Sequence, residues 1–339
     1  MQRTRFFPMI LAALAMGSSS CVFRSGGSGS YGDVTMLWSF GTQQLGCSLV
    51  PEVTQVTIQI PGEQLQSGGT YDCRNAGTAG ITLLDFAPGT YSFTIQGRNS
   101  AGSILYESSG TFRVDGPVTV TTTLMPSSTA RGDAYLTWTF PGGRWCSSDP
   151  AVTQVAVSID QGTPFDIPCA EGQSANGALV TSLSAGTHRI DLSAHEPTGF
   201  VYYSLSSSLT VIPGTGTSQQ YDLDWAVGGL PIRWSFTDGH FQLTCAQAGV
   251  TDVYVNLIDP TNHYIYDGAG QKVSCSSGGF QGTYYFSYLY PATYQVFFQA
   301  RGTGDVLYQT SQSPYPAIAV TRGVFPPLDS STPVVVMSL

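Results

Sequence analysis

The pentapeptide Met36-Leu37-Trp38-Ser39-Phe40 occurs in three versions along the chain, and this repetition decides the fold. It returns as Leu136-Thr137-Trp138-Thr139-Phe140 and again as Ile232-Arg233-Trp234-Ser235-Phe236. In each version one set of alternate positions is apolar throughout, which is the period of a strand with one buried face. We therefore expect an equivalent strand, with an equivalent core tryptophan, at all three places.

Two further patterns follow the pentapeptide in the same order in every copy. One opens a second strand, at Val53-Thr54-Gln55-Val56, Val152-Thr153-Gln154-Val155 and Val250-Thr251-Asp252-Val253. The other is a turn that feeds a strand, at Phe86-Ala87-Pro88-Gly89-Thr90-Tyr91, Leu183-Ser184-Ala185-Gly186-Thr187-His188 and Leu289-Tyr290-Pro291-Ala292-Thr293-Tyr294. Self-similarity of this kind marks tandem structural units. We predict three domains, over residues 32–128, 129–226 and 227–339.

The repeats predict an all-β protein. No helical period follows the N-terminal segment, and short alternating stretches are separated by Gly, Pro, Asn and Ser. At about one hundred residues per copy, this pattern is typical of a β-sandwich. The fold class is therefore three tandem sandwich domains.

The first repeat resembles the fibronectin type III family of Ig-like sandwiches. The resemblance rests on an early-strand tryptophan, on Phe86-Ala87-Pro88-Gly89-Thr90-Tyr91, and on the turn Asn99-Ser100-Ala101-Gly102. It implies that Tyr91 and Tyr294 cap the connection between strands as tyrosine corners. Unlike most members of that family, each repeat here carries two cysteines.

Residues 1–20 have the pattern of an export signal, in which Arg3 and Arg5 precede a short apolar stretch. The stretch falls short of the ~20 residues that a membrane-spanning helix needs. Ser18-Ser19-Ser20-Cys21 resembles the lipobox of bacterial lipoproteins, although that family usually has leucine in place of Ser18. Ordinary cleavage after Ala13-Leu14-Ala15 is the alternative and would give a soluble secreted protein. Residues 21–31 are rich in Gly and Ser and predict a flexible tether.

The seven cysteines favour lipidation of Cys21. An odd number would leave one thiol unpaired in an oxidising compartment, and a lipid on Cys21 removes that thiol. The other six fall two per repeat, and the repeat predicts the bonds Cys47–Cys73, Cys146–Cys169 and Cys245–Cys275. The lipoprotein resemblance implies a membrane-anchored protein of the bacterial envelope, facing either the periplasm or the cell surface. Val22 implies the outer membrane, since aspartate at that place marks inner-membrane retention in some groups.

Composition excludes several function classes. The chain has 13 basic and 22 acidic residues, a net charge of −9, and Lys272 is its only lysine. A nucleic-acid partner needs a basic surface, so we expect none. Gly27-x-Gly29-x-x-Gly32 fits the dinucleotide pattern but lies in the tether, away from any strand-to-helix turn. We therefore expect no cofactor and no enzymatic activity.

The metal-ligating residue types are scattered. The four histidines lack the spacing of a zinc site, and Asp222-Leu223-Asp224 lacks that of a calcium loop. We expect no metal site. His188 stands where the sister repeats have tyrosine, which favours a packed residue over a ligand.

A candidate binding surface lies in the third repeat, on the strand before the turn motif. If Leu289 faces inward, strict alternation turns the opposite set outward: Tyr284, Phe286, Tyr288 and Tyr290. The equivalent positions of the other copies hold no aromatic residue: they are Ile81, Leu83, Asp85 and Ala87 in the first and Ala178, Val180, Ser182 and Ser184 in the second. An aromatic stripe ~20 Å long would indicate a partner. The alternative is that residues 313–339 of the same chain cover it.

The sequence thus predicts a non-catalytic, lipid-anchored envelope or surface protein that acts as a structural or adhesive scaffold. Its partner would be another envelope protein or a glycan. The alternative function is a carbohydrate-binding protein that docks to a polysaccharide, since tyrosine suits both protein contact and sugar stacking.

Overall fold

The computed structural model describes residues 30–73, 80–275, 282–310 and 315–339. The predicted signal peptide and Cys21, the predicted lipidation site, lie outside these ranges, as does most of the predicted tether. Within the described ranges no helix is long and apolar enough to span a bilayer.

The protein is all-β, as predicted, with sandwich-like sheets. The strands of the first repeat are β1 (Gly32–Phe40), β2 (Gln55–Gln59), β3 (Thr70–Asp72), β4 (Ile81–Phe86), β5 (Gly89–Arg98), β6 (Ile104–Val114) and β7 (Val118–Pro126). Those of the second are β8 (Arg131–Thr139), β9 (Gln154–Ile159), β10 (Phe165–Pro168), β11 (Ala178–Ser184), β12 (Gly186–His195), β13 (Val201–Val211), β14 (Gly216–Asp222) and β15 (Asp224–Trp225). Those of the third are β16 (Gly228–Thr237), β17 (Gln242–Leu243), β18 (Asp252–Ile258), β19 (Gln271–Ser274), β20 (Gly282–Leu289), β21 (Ala292–Arg301), β22 (Leu307–Thr310), β23 (Ala317–Val320) and β24 (Val334–Ser338).

Helical structure in the described ranges is confined to single turns. Two short α-helices begin at disulfide cysteines, α1 (Cys169–Gly172) and α2 (Cys245–Ala248). Three 3-10 turns cover Cys47–Leu49, Gln66–Gly69 and Thr303–Asp305. None of these elements is long enough to contribute a helical layer.

Each repeat places its pentapeptide strand at the centre of the same three-stranded arrangement. Strands β1, β8 and β16 pair antiparallel with β4, β11 and β20 on one side. On the other side they pair parallel with β7, β14 and β24. In the second repeat this sheet faces a second one of order β10-β9-β12-β13-β15. In the first and third repeats the two layers are joined at one edge, through β6–β7 and β22–β24.

The pentapeptide tryptophans lie in the cores, as the alternation predicts. Trp38, Trp138 and Trp234 are 7%, 1% and 1% exposed, whereas Trp145 in the loop after β8 is 63% exposed. The indole of Trp138 donates to the carbonyl oxygen of Cys169 at 3.0 Å, so its one polar group is satisfied.

The structure forms all three predicted disulfide bonds, Cys47–Cys73, Cys146–Cys169 and Cys245–Cys275. Each closes a loop within one repeat, with sequence separations of 26, 23 and 30 residues. In the chain-entropy model each bond removes about 3.5 kcal/mol of unfolded-state entropy.

A corner hydrogen bond recurs in all three repeats. The hydroxyl of Tyr91 donates to the carbonyl oxygen of Ala87 at 2.8 Å, and that of Tyr294 donates to Tyr290 at 3.0 Å. In the second repeat Nε2 of His188 lies 2.7 Å from the carbonyl oxygen of Ser184. The histidine therefore occupies the corner position of the two tyrosines.

The chain divides into two compact units. One comprises the described residues through Gly97 together with Glu107–Met125, and the other comprises Arg98–Tyr106 together with Pro126–Leu339. The second and third repeats thus fall in one unit, and the division into three independent domains stays a prediction.

Candidate functional site: an aromatic joint

The predicted outward stripe of the third repeat does not form, because a β-bulge interrupts the alternation of β20. Tyr288 has a φ of 58°, and the pairing register with β16 shifts between Gly228 and Leu230. Phe286 and Leu289, on either side of the bulge, are consequently both buried, at 1% and 8% exposure. The prediction that Phe286 faces outward is therefore wrong.

The same bulge occurs in the other two repeats and explains the same error there. The residues with positive φ are Asp85 (66°) and Ser182 (60°), which are equivalent to Tyr288. In both repeats a carboxylate near the start of the pentapeptide strand accepts a hydrogen bond from the backbone N–H of the bulge residue. Asp33 in β1 accepts from Asp85 at 3.3 Å, and Asp133 in β8 accepts from Ser182 at 2.9 Å. Predicted outward positions before the bulge are buried as a result: Leu83, Ala178 and Val180.

The four stripe residues separate into two pairs. Tyr284 and Phe286 pack edge to face with ring centroids 4.7 Å apart, and both contact the core of the third repeat. Tyr288 and Tyr290 instead contact the second repeat. The structure therefore brings together two of the four predicted residues at one surface.

We call this surface the aromatic joint and define it by three residues from each repeat: Phe200, Tyr202 and Trp225 of the second, and Tyr288, Tyr290 and Phe325 of the third. Their rings form a continuous chain of contacts with centroid separations of 4.6 to 6.2 Å. Offset and edge-to-face aromatic pairs at such separations stabilise by about 0.5–1.5 kcal/mol each beyond area burial.

Tyr288 lies at the centre of the joint. Its ring stacks on Trp225, 5.9 Å between centroids and 18° between planes, and meets Tyr202 edge to face at 5.3 Å. Phe325, from the C-terminal segment, contacts both Trp225 at 4.7 Å and Tyr288 at 6.2 Å. The C-terminal segment thus covers part of the predicted stripe, and the second repeat covers more of it.

Polar contacts hold the same two repeats together. The hydroxyl of Tyr290 accepts from the backbone N–H of Val201 at 3.0 Å. Arg322 of the third repeat donates from Nε to the carbonyl oxygen of Trp225 at 2.6 Å and from Nη2 to that of Ser204 at 2.9 Å. Charge-assisted bonds of this type are stronger than neutral ones, so Arg322 reinforces the aromatic contacts.

The environment of the joint raises the pKa of two of its phenol groups, Tyr202 and Tyr288. Burial, and after it the hydrogen bond to Glu196 at 3.1 Å, raise the pKa of Tyr202 to about 12. Burial also raises the pKa of Tyr288. The guanidinium of Arg144 lies over the Trp225 ring at 5.1 Å, a cation–π contact at the edge of the joint.

The ring contacts of the joint bury apolar surface between the second and third repeats. In the described ranges no group of three His, Cys, Asp or Glu residues could hold a metal ion. Its ring contacts and hydrogen bonds make the joint a packing surface between the two repeats.

Sequence reasoning found Tyr288 and Tyr290 but missed their partners. Phe200 could have been found, since the equivalent positions of the other repeats hold the polar residues Ser103 and Asp305. An aromatic residue present in only one copy of a repeat is not needed by the shared core. It therefore indicates a contact specific to that copy.

No family model and no curated protein matches the chain. Among solved structures it is similar to the Bacillus anthracis TIE protein, with 9% identity over 91% of this chain and 50% of that one, at a TM-score of 0.26. It is also similar to a streptococcal ancillary pilin, with 13% identity over 90% and 98% of the two chains and a TM-score of 0.34. A third is a putative adhesin from Bacteroides ovatus, with 8% identity over 62% and 92% and a TM-score of 0.33. The chain spans about half the length of the TIE protein. At these identities and scores the likeness carries no argument about function.

Proposed function

We propose that the protein is a non-catalytic, lipid-anchored scaffold of the bacterial cell envelope with a structural or adhesive role. The observation that carries the proposal is the cysteine arrangement. Six of the seven cysteines are paired within their own repeats, and Cys21 is the one that remains. Structural disulfides belong to an oxidising compartment, and Cys21 stands at the end of a lipobox-like sequence that follows the pattern of an export signal.

The aromatic joint supports the structural part of the proposal. It would make the second and third repeats one stiff body. A stiff body presents a contact surface at a fixed distance and with little ordering entropy lost on binding. A ligand-binding role for Tyr284, Phe286, Tyr288 and Tyr290 stays a prediction, and the joint gives Tyr288 and Tyr290 a structural role.

Two partner classes fit a scaffold of this kind, another envelope protein or a glycan. The glycan alternative is favoured by a specific observation, an exposed tryptophan beside neutral polar groups in the second repeat.

The anchor is tested by Cys21→Ser, with Ser28→Ala in the tether as the matched control. Cells expressing each variant are labelled with a fatty-acid analogue and fractionated. We expect the control to be labelled and membrane-bound, and Cys21→Ser to be unlabelled and soluble. Equal labelling and membrane partition of the two variants would contradict the proposal.

A further inference from the structure

A groove in the second repeat combines an exposed aromatic platform with neutral hydrogen-bonding groups. It has a volume of about 250 Å³ and opens beside the indole of Trp145. Its walls come from β8, the β8–β9 loop, the segment after α1 and β14: Thr137, Thr139, Gly143, Trp145, Ser174 and Gln220. All of these residues belong to one repeat.

The loop that carries Trp145 is held on several sides. The backbone N–H of Trp145 donates to Oγ of Ser148 at 3.0 Å, and the carbonyl oxygen of Trp145 accepts from the backbone N–H of Ser148 at 2.8 Å. The next residue, Cys146, is bonded to Cys169, and its N–H donates to Oε1 of Gln173 at 2.8 Å. An exposed indole on a fixed loop loses little entropy when a ligand stacks on it.

The hydroxyl groups of the groove are set to accept hydrogen bonds. Thr139 donates its proton to Oδ1 of Asp222 at 2.5 Å, and Ser174 donates to the carbonyl oxygen of Glu171 at 2.6 Å. A hydroxyl that donates once still has lone pairs that accept. A ligand that supplies hydrogen-bond donors therefore fits the Thr139 and Ser174 hydroxyls.

Charge further limits the ligand class. Hydrogen bonds from Thr139 and Gln220 hold the pKa of the Asp222 carboxyl below its ordinary value, so this group beside the groove is anionic and repels anions. Arg144, the cation in the wall, is engaged by the carbonyl oxygen of Asp149 and by the Trp225 ring. A neutral ligand fits this balance best.

We propose that this groove binds a neutral saccharide, with one sugar ring stacked on Trp145 and sugar hydroxyls donating to Thr139 and Ser174. A sugar ring presents an apolar face to the indole and hydroxyl donors around its edge. Polyproline, which also stacks on tryptophan, has no backbone N–H to donate. The inference deepens the glycan alternative of the proposed scaffold.

The test measures binding of the purified full chain to maltohexaose, cellohexaose, xylohexaose, mannohexaose and chitohexaose by titration calorimetry. We expect saturable binding of at least one of them, with Trp145→Ala raising its Kd by about tenfold, which corresponds to about 1.4 kcal/mol. Trp145→Phe should retain most of the affinity. Thr139→Val should raise the Kd by about fivefold, because one acceptor is lost.

Phe241→Ala is the matched control, since Phe241 is 72% exposed in the equivalent loop of the third repeat. We expect it to leave the Kd unchanged. The proposal would be overturned if the parent bound none of the five oligosaccharides, or if Phe241→Ala lost as much affinity as Trp145→Ala. It would also be overturned if polyproline bound in a Trp145-dependent way and no saccharide bound. Because the assay uses purified protein, its failure is independent of whether Cys21 anchors the chain.

Discussion

The hydroxyl of Tyr290 accepts a hydrogen bond from the backbone N–H of Val201, with 3.0 Å between the two atoms. Eighty-nine residues separate them in the chain, and they belong to the third and second repeats. The same tyrosine supplies the carbonyl oxygen for the Tyr294 corner bond. Tyr290 thus takes part both in the corner hydrogen bond, which all three repeats have, and in a contact between the second and third repeats.

The joint predicts an energetic coupling between Trp225 and Tyr288. In a double-mutant cycle of Trp225→Ala and Tyr288→Ala, we expect a coupling free energy of about 1 kcal/mol, the value of a stacked aromatic pair. Urea denaturation measures it. The cycle of Trp225→Ala with Phe241→Ala is the control and should give none. Strictly additive effects of Trp225→Ala and Tyr288→Ala would contradict the joint.

Trp138 and Trp145 are close in sequence but should differ sharply in their effect on stability. Trp138→Ala removes a ring that is 1% exposed and should cost about 3–5 kcal/mol. Trp145→Ala removes one that is 63% exposed and should change stability by about 0.5 kcal/mol or less. Thermal denaturation of the two variants checks the difference. Comparable shifts in Tm would show that the core is assigned incorrectly.

His188 predicts a pH dependence that the tyrosine repeats lack. Burial alone would lower its pKa, but the hydrogen bond to Asp160 at 2.6 Å, the bond to Ser184 and the charge of Asp160 together raise it. Because the pKa of His188 is higher in the folded protein than in the unfolded chain, protonation of His188 stabilises the fold. This stabilisation is fully present at pH values below the unfolded pKa of 6.5, and it is lost as the pH rises through the folded pKa. Hydrogen bonds from the His188 side chain and from the backbone N–H of Arg189 lower the pKa of Asp160. The stability that ionised Asp160 contributes is therefore present at pH values above its unfolded pKa of 3.8 and is lost as the pH falls through the folded pKa.

We therefore expect the parent to lose stability between about pH 5.5 and 8.5 relative to His188→Tyr, which restores the corner residue of the other repeats. The difference should be under about 1 kcal/mol, since Asp160 is 57% exposed and solvent screens the pair. The measurement is the Tm of both proteins at the two pH values. Parallel pH profiles would show that His188 is not the titrating group.

The bulge residue Ser182 predicts a stabilising substitution. Its φ of 60° lies in the left-handed region, which costs a side-chain-bearing residue about 1–2 kcal/mol. Glycine avoids this cost but loses more entropy on folding, so Ser182→Gly should raise stability by about 0.5 kcal/mol. Asp133→Ala, which removes the acceptor of the Ser182 amide at 2.9 Å, should lower it by about 1 kcal/mol. A loss of stability in Ser182→Gly would contradict the strained-bulge interpretation.

The features that repeat could be predicted from sequence, because three copies of one pattern carry more information than one. The core tryptophans and the three disulfide bonds belong to this class. The corner role of Tyr91 and Tyr294 was instead implied by the resemblance to the fibronectin type III family. The bulge could not be predicted, since Asp85, Ser182 and Tyr288 share no residue type that marks a positive φ. Because the bulge was not predicted, Phe286 was expected to face outward, whereas it is buried.

Which residues face each other in the joint and in the groove could not be predicted from the sequence, for a different reason. Both depend on residues far apart in the chain, such as Phe200 with Tyr290, or Trp145 with Gln220. Alternation assigns a residue to a face of its own strand. It does not show which other element covers that face.

The measurement that tests the scaffold most directly is ¹⁵N relaxation of backbone amides in the full chain carrying Cys21→Ser. It gives separate rotational correlation times for β9 and β12 of the second repeat and for β18 and β21 of the third. A single rigid body predicts one common correlation time in the parent and two different ones after Trp225→Ala with Tyr288→Ala. Different correlation times in the parent would contradict the claim that the aromatic joint makes these two repeats one body.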